Sequence, residues 1–255
     1  MSEKRPITTR TGHSTPTEVR VQGLDLINDL MGRYTYTEML YFLTCHRFPT
    51  ASETKVLDAC LVTLMEHGLT PSAVITRLMR DSVPNEPQVA IASGLLAIGS
   101  VFAGTTEDCA DLLLKIKNAA GEELESVCRD VATRYAEQRM PVPGFGHGTH
   151  KPDDPRTPRL LEIAKEAGVS TRHVDILLML SKEVDKALGR HMTINATGAI
   201  GALFLDIGIP MEAMRAFSVV SRAGGLVGHV LEDQETGSGR AIWQAAKQAV
   251  PYKED

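Results

Sequence analysis

Apolar positions recur along most of this chain with helical rather than strand spacing. Between residues 52 and 66, Val56, Leu57, Cys60, Leu61, Leu64 and Met65 fall at i, i+1, i+4, i+5, i+8 and i+9, a single stripe along a helix with polar residues opposite. Ser52 reads as the N-cap of this helix and Gly68 as the residue that closes it. The same period predicts helices at about 36–45, 71–80, 86–101, 105–118, 121–139, 156–167, 171–190, 194–207, 210–231 and 238–249. Pro71, Pro158 and Pro210 stand at or near helix starts, where a missing N–H costs little. β-Branched runs are few, and Thr17–Gly23 is the single strand-like segment. The pattern predicts an all-α fold of about ten or eleven helices.

Two of these helices are rich in small residues. Ala90, Ala92, Ser93, Gly94, Ala97 and Gly99 lie in 86–101, and Ala196, Gly198, Ala199, Gly201 and Ala202 in 194–207. Small side chains let backbones approach closely, which predicts deeply buried helices or a subunit interface. No fixed-period repeat and no low-complexity linker divides the 255 residues, enough for one large domain or two small ones sharing an interface.

Composition narrows the function classes. Hydrophobic residues at 43% and charged residues at 23% fit a soluble globular chain. A net charge of −5 gives no general attraction to nucleic acid, so positive charge is needed only locally. No signal peptide opens the sequence and no apolar run reaches ~18 residues, so no membrane association is expected. Cys45, Cys60, Cys109 and Cys128 are far apart without a CxxC pair and read as buried reduced thiols, which fits a cytoplasmic protein. The polar N-terminal segment, with Lys4, Arg5, Thr8, Thr9, Arg10 and Thr11, is either a flexible arm or a segment that orders against a ligand or partner.

Four polar spots interrupt the apolar pattern. In the loop from Pro143 to Arg159, His147 sits among Gly144, Gly146 and Gly148, which free the backbone for positive φ and close approach to a ligand. Arg156 follows nine residues later in an Asp-Pro-Arg step that starts the next helix. An imidazole and a fixed guanidinium on one turn suit a small polar anion such as an oxo-acid. Glu66-His67-Gly68 ends an amphipathic helix, where the dipole favours a histidine whatever its role. Arg222 lies in an otherwise apolar helix and must be paired or bind an anion. His229, about two turns further on, reads as a packing histidine. His147-x-x-His150 with Asp153 and Asp154 offers nitrogen and oxygen donors but lacks helical spacing, so no metal site is read. Gly144-x-Gly146-x-Gly148 lacks the context and spacing of a dinucleotide-binding turn, and there is no Walker A sequence.

These spots, in this order, resemble the citrate synthase superfamily, in particular its short branch of citryl-CoA lyase and the C-terminal lyase module of ATP-citrate lyase. Val19–Gly32 is similar to the family's entry segment, and Glu66-His67-Gly68 to its Asp-His-Gly step. Gly94–Gly99 followed by Ala103-Gly104 resembles the helix and glycine turn in front of the acyl-CoA. Gly144-Phe145-Gly146-His147 with Asp154-Pro155-Arg156 is the strongest signature, and Ser221-Arg222 with Gly228-His229 resembles the arginine helix that follows.

The resemblance implies an all-helical homodimer with large and small subdomains that close over the substrates, here about 1–104 with 215–255, and 105–214. It implies that His67 and His147 hydrogen-bond the oxo-acid, with His147 polarising the carbonyl or, in cleavage, the hydroxyl, and that Arg156 and Arg222 hold its carboxylates. Arg240 would match an arginine reaching the partner subunit's site. Lys151, Gly104 and Gly146 would lie along the CoA. No tightly bound cofactor is implied, since the CoA thioester is itself substrate. The family's carboxylate base aligns with Thr197, and a histidine of the synthases with Phe102. The activity expected is cleavage of citryl-CoA, or a related 3-hydroxy-3-carboxy acyl-CoA, to acetyl-CoA and a 2-oxo acid. Synthase-type condensation, citramalyl-CoA cleavage and a non-catalytic CoA-ester or dicarboxylate-binding paralogue stay open beside it. Threonine is no useful base at neutral pH, so either His147 takes the hydroxyl proton or the reaction differs from the family's.

Overall fold

The computed structural model describes residues 7–99, 105–121 and 123–254. Residues 100–104, with Phe102, Ala103 and Gly104 of the expected glycine turn, lie outside the described residues. The chain opens with a small antiparallel sheet of β1 (Gly12–Ser14), β2 (Val19–Val21) and β3 (Leu24–Asp25). Gly12 faces Val21, and Val21 faces Leu24 across a two-residue turn, where Gln22 and Gly23 take φ of 47° and 89°. The expected strand is therefore real, but it pairs with segments of two and three residues on either side that are too short to carry a strand pattern of their own. A short π-helical turn, Leu26–Leu30, follows.

Eleven α-helices, joined by loops, follow among the described residues: α1 (Tyr36–Cys45), α2 (Ala51–Met65), α3 (Pro71–Ser82), α4 (Pro87–Leu96), α5 (Thr105–Ala120), α6 (Leu124–Glu137), α7 (Arg156–Ala167), α8 (Arg172–Leu188), α9 (Ala196–Asp206), α10 (Met211–Thr236) and α11 (Ser238–Ala249). None is long and apolar enough to cross a membrane.

The expected cap of α2 is corrected. Thr50, not Ser52, is the N-cap: its hydroxyl accepts from Glu53 N–H at 3.2 Å while the Glu53 carboxylate accepts from Thr50 N–H at 2.7 Å. Only Thr50 has a glutamate three residues on to complete this reciprocal box. Ser52 instead donates to the Ala167 carbonyl at 2.6 Å, tying α2 to the end of α7. Gly68 does take positive φ, at 69°, but two residues beyond the α2 C-cap, Glu66. Helix α4 ends at Leu96 rather than about 101, because Ala97 and Ile98 N–H turn back to Gly94 and Leu95 in tighter i→i+3 bonds. Helix α10 runs past 231 until Gly237, at φ 62°, breaks it before α11.

Helix α9 is the centre of the fold, packing on α2, α5, α7 and α8 with every residue from Gly198 to Phe204 buried. Its glycines explain the small-residue pattern: a Cβ on Gly201 would stand 2.6 Å from the Thr106 carbonyl oxygen, and one on Gly198 2.5 Å from that of Gly144. Gly94 does the same for α4 against α3, with the Ser72 carbonyl 2.7 Å from a would-be Cβ. The four cysteines are free thiols, and burial pushes those of Cys109 and Cys128 up to about 12 and about 11, so both stay protonated.

Candidate active site

A cavity of about 430 Å³ opens where the N-termini of α5, α7 and α9 meet the α2–α3 connection and the middle of α10. Among its lining residues are His67, Gly146, His147, Arg156, Thr197 and Arg222, so six positions scattered over the sequence come together. Lys151 and Arg240 are not among them. Lys151 is exposed on the outer part of the loop, and Arg240 in α11 pairs with Asp81 at 3.1 Å.

The glycine loop is seated on α9. Gly146 N–H donates to the Thr193 carbonyl at 2.8 Å, Asn195 N–H to that of Gly144 at 3.0 Å, and the Asn195 amide to that of Gly146 at 2.9 Å. Gly144 and Gly146 have φ of 86° and 80°, and a Cβ on Gly144 would meet Cys109 Sγ at 2.6 Å. The loop then curls under His147, whose Nδ1 accepts the backbone N–H groups of Thr149 and His150 at 3.0 and 2.9 Å. A neutral imidazole that accepts at Nδ1 carries its proton on Nε2. His147 is thereby fixed as a donor.

Arg156 Nη2 stands 3.5 Å from that Nε2. Two N–H groups so close repel unless an acceptor joins them, and a carboxylate or developing oxyanion would do so. The guanidinium is aimed by Asp154, which takes Arg156 Nε at 2.9 Å and Nη2 at 2.8 Å. Asp154 is fully buried and also accepts from Ala196 N–H at 3.0 Å. Burial opposes its charge, but the bonds from Arg156 and Ala196 outweigh it and hold the carboxyl down at about 2. Arg222, in α10, has no carboxylate within salt-bridge distance among the described residues; its contact is Thr70 Oγ1, 3.4 Å away. Burial lowers its pKa, because desolvation disfavours the charged guanidinium.

Thr197, at the start of α9, has a spent hydroxyl: it donates to Asn195 Oδ1 at 2.7 Å and accepts from Thr105 at 2.9 Å. His67 reaches the cavity from the α2–α3 connection. Its backbone N–H and that of Gly68 donate to Glu66 Oε1 at 2.9 and 2.6 Å, and Glu66 Oε2 lies 3.0 Å from His229 Nε2. His229 is buried and accepts from Arg77 Nε at 2.9 Å, so it braces the His67 turn from behind. Burial, then the nearby charges of Arg156 and His147, pull the His67 pKa below the ordinary histidine range; burial and His150 do the same to His147.

Sequence reasoning passed over His150 as anything but half of a metal-type spacing. It lies behind His67, with Nε2 to Nε2 at 3.2 Å. His67, His147 and His150 together bring ring nitrogens within 4.8 Å of one another. A cation held there would find the His147 Nδ1 lone pair already taken and Nε2 protonated, with a guanidinium 3.5 Å away, so this donor set fits an anion better than a metal.

Residues 32–244 match the sequence profile of the citrate synthase C-terminal domain. In three dimensions the chain is similar to citryl-CoA lyase from Hydrogenobacter thermophilus, at 29% identity over 90% of this chain and 87% of that one, with a TM-score of 0.81. ATP citrate lyase from Methanothrix soehngenii, solved with citrate and coenzyme A, shares the fold at 18% identity and a TM-score of 0.81, over 100% of this chain and 43% of that one. Citrate synthase from Synechocystis sp. is 26% identical over 76% of this chain and 48% of its own. The chain spans about half the length, or less, of the curated relatives it matches. A profile match across most of the chain, on an all-helical fold with a histidine–arginine cavity at its centre, shows that this protein belongs to the citrate synthase family.

Proposed function

We propose that this protein is a CoA-dependent carbon–carbon lyase that cleaves citryl-CoA, or a related 3-hydroxy-3-carboxy acyl-CoA, to acetyl-CoA and oxaloacetate or another 2-oxo acid. The observation that carries the reading is the convergence of an N–H donor fixed on His147 Nε2 with Arg156 and with Arg222, which has no carboxylate partner among the described residues, on one cavity. Such a set suits a substrate with two carboxylates flanking a carbinol oxygen that becomes a carbonyl. Likeness to a citryl-CoA lyase over nearly both full lengths supports the same substrate class.

In this reading Arg156 and Arg222 hold the carboxylates, and His147 donates to the reacting oxygen. The hydroxyl proton passes to a neutral imidazole of the cavity, the bond between the carbinol carbon and the thioester methylene breaks, and the electron pair passes to the thioester enolate. The enolate then takes a proton to give acetyl-CoA. Thr197 hydrogen-bonds and is not the base. Gly146, Gly104 and Lys151 would flank the CoA, which is consumed as substrate with no further cofactor. The working unit would be a cytoplasmic homodimer in which Arg240 reaches the partner subunit's cavity, and residues 105–214 would close against 1–104 and 215–255.

The test follows thioester loss and free thiol with citryl-CoA, citramalyl-CoA, or acetyl-CoA plus oxaloacetate. Citryl-CoA should yield acetyl-CoA and oxaloacetate, and His147→Ala should slow this by about 10²–10⁴-fold. A spent threonine hydroxyl where the family carries a carboxylate favours, as second reading, a non-catalytic CoA-ester or dicarboxylate binder. Calorimetric binding without turnover of any thioester would establish that second reading and sink the first.

A further inference from the structure

Resting on the lyase reading above, we infer that His67 and His150 form a hydrogen-bonded acid–base pair that does the proton transfer for which the family uses a carboxylate at position 197. His67 would meet the substrate, and His150 would act through it as a positioning residue and second proton acceptor.

Elimination on the cavity walls leads to His67. Arginines carry no usable lone pair at neutral pH. His147 has given its lone pair to two backbone N–H groups. Behind the walls, Asp154 is spent on Arg156 and Ala196, and Glu66 on the turn N–H groups with its other oxygen toward His229. Thr197 and Thr105 donate along a chain that ends on Asn195. Among the titratable groups lining the cavity in the described residues, His67 alone retains a ring nitrogen, Nδ1, without a protein partner.

The 3.2 Å contact between His67 Nε2 and His150 Nε2 requires a proton between the two nitrogens. His150 lies tilted against His147, with ring centroids 4.4 Å apart and planes at 31°, and its backbone N–H helps fix the position of His147. A proton arriving at His67 Nδ1 faces Arg156, Arg222, His147 and His150, all cationic or able to become so, within a partly buried wall. Passing the opposite proton from Nε2 to His150 moves the positive charge one ring outward. The step balances: the carbinol proton goes to His67 Nδ1, the Nε2 proton to His150 Nε2, and the carbon–carbon bond breaks to oxo-acid and thioester enolate. Return of a proton through the same pair to the enolate carbon restores both rings, with no change in oxidation state.

The test is a double-mutant cycle. His150→Gln can still accept from His67 Nε2–H but cannot take up its proton. It should lower kcat about 10²-fold with KM within about 3-fold of wild type. Thr197→Asp restores a carboxylate, and in that background His150→Gln should cost less than about 3-fold, because the pair is bypassed. Equal losses in both backgrounds, or a loss confined to KM, would overturn the relay. An independent readout needs neither turnover nor a folded Thr197→Asp variant: the shared proton should give a ¹⁵N–¹⁵N coupling between the two imidazoles in the unmutated protein. Absence of that coupling refutes the pair itself, whereas its presence in a protein inert to every thioester refutes the lyase reading instead.

Discussion

Asp154→Asn tests how the site is held together. The native carboxylate takes four N–H donors: Arg156 N, Nε and Nη2 at 3.1, 2.9 and 2.8 Å, and Ala196 N at 3.0 Å. It joins the glycine loop to the first residues of α7 and α9. Asparagine keeps one oxygen and turns its amide toward two of those donors. Moving the carboxyl from its ordinary 3.8 to about 2 corresponds to about 2.4 kcal/mol at about 1.36 kcal/mol per pH unit. Breaking a buried charged pair costs about 3–5 kcal/mol. For a chain of this size 1 kcal/mol moves Tm by about 2–4 °C, so the variant should melt about 5–20 °C lower at pH 7. Because the folded carboxyl is the stronger acid, its contribution is complete above the ordinary value and disappears as pH falls toward 2. By pH 3 the ionisation part should be about 1.3 kcal/mol, roughly half its value at pH 7. Thermal unfolding of both proteins at pH 7 and pH 3 measures this. A Tm within about 2 °C of wild type at pH 7, or a gap that fails to narrow at pH 3, would refute the reasoning.

Three further outcomes are expected. Arg222→Met removes a desolvated charge without a carboxylate partner among the described residues, so Tm should hold or rise while KM for the acyl-CoA increases about 10–150-fold; a fall in Tm of more than about 5 °C would mean a structural role instead. Gly198→Ala sets a Cβ 2.5 Å from the Gly144 carbonyl oxygen and 2.7 Å from its Cα, backbone against backbone, and should cost about 1–3 kcal/mol in denaturant unfolding together with activity; an unchanged midpoint would show that the crossing has slack. In the proposed reaction His67 and His147 act as neutral rings, and their pKa values lie below the ordinary ~6.5, so the acid limb of kcat/KM should fall below that pH, and stability should drop as pH descends through it because the unfolded chain protonates first. A limb at or above ~6.5 in the pH–rate profile would contradict both shifts.

The helices were legible in the sequence because amphipathic period, prolines and glycines act over three or four residues. Gly168, Gly189 and Gly237, at φ 71°, 63° and 62°, end α7, α8 and α10 where the pattern stops. The glycine loop with His147 and Arg156 was legible for the same reason, its signal lying within one short segment. Where two local signals competed, at Thr50 and Ser52, the neighbour three residues on decided, and Ser52 was claimed by α7. Strands β1 and β3 could not be read, since their pairing with β2 supplies the order that two or three residues lack on their own.

What the sequence determined by itself is thus an all-helical chain with a histidine–arginine loop and an apolar helix carrying one arginine. Tertiary structure alone decided what each polar group is free to do. His67 and His150 are 83 residues apart, Thr105 and Thr197 are 92 apart, and Arg222 meets Thr70 across 152. Backbone propensity and periodicity are local, but a side chain's remaining lone pair and its access to water depend on which distant segments pack against it. Hence His147 is a donor, Thr197 is spent and Arg222 has no carboxylate partner among the described residues, for reasons that spacing along the chain does not encode.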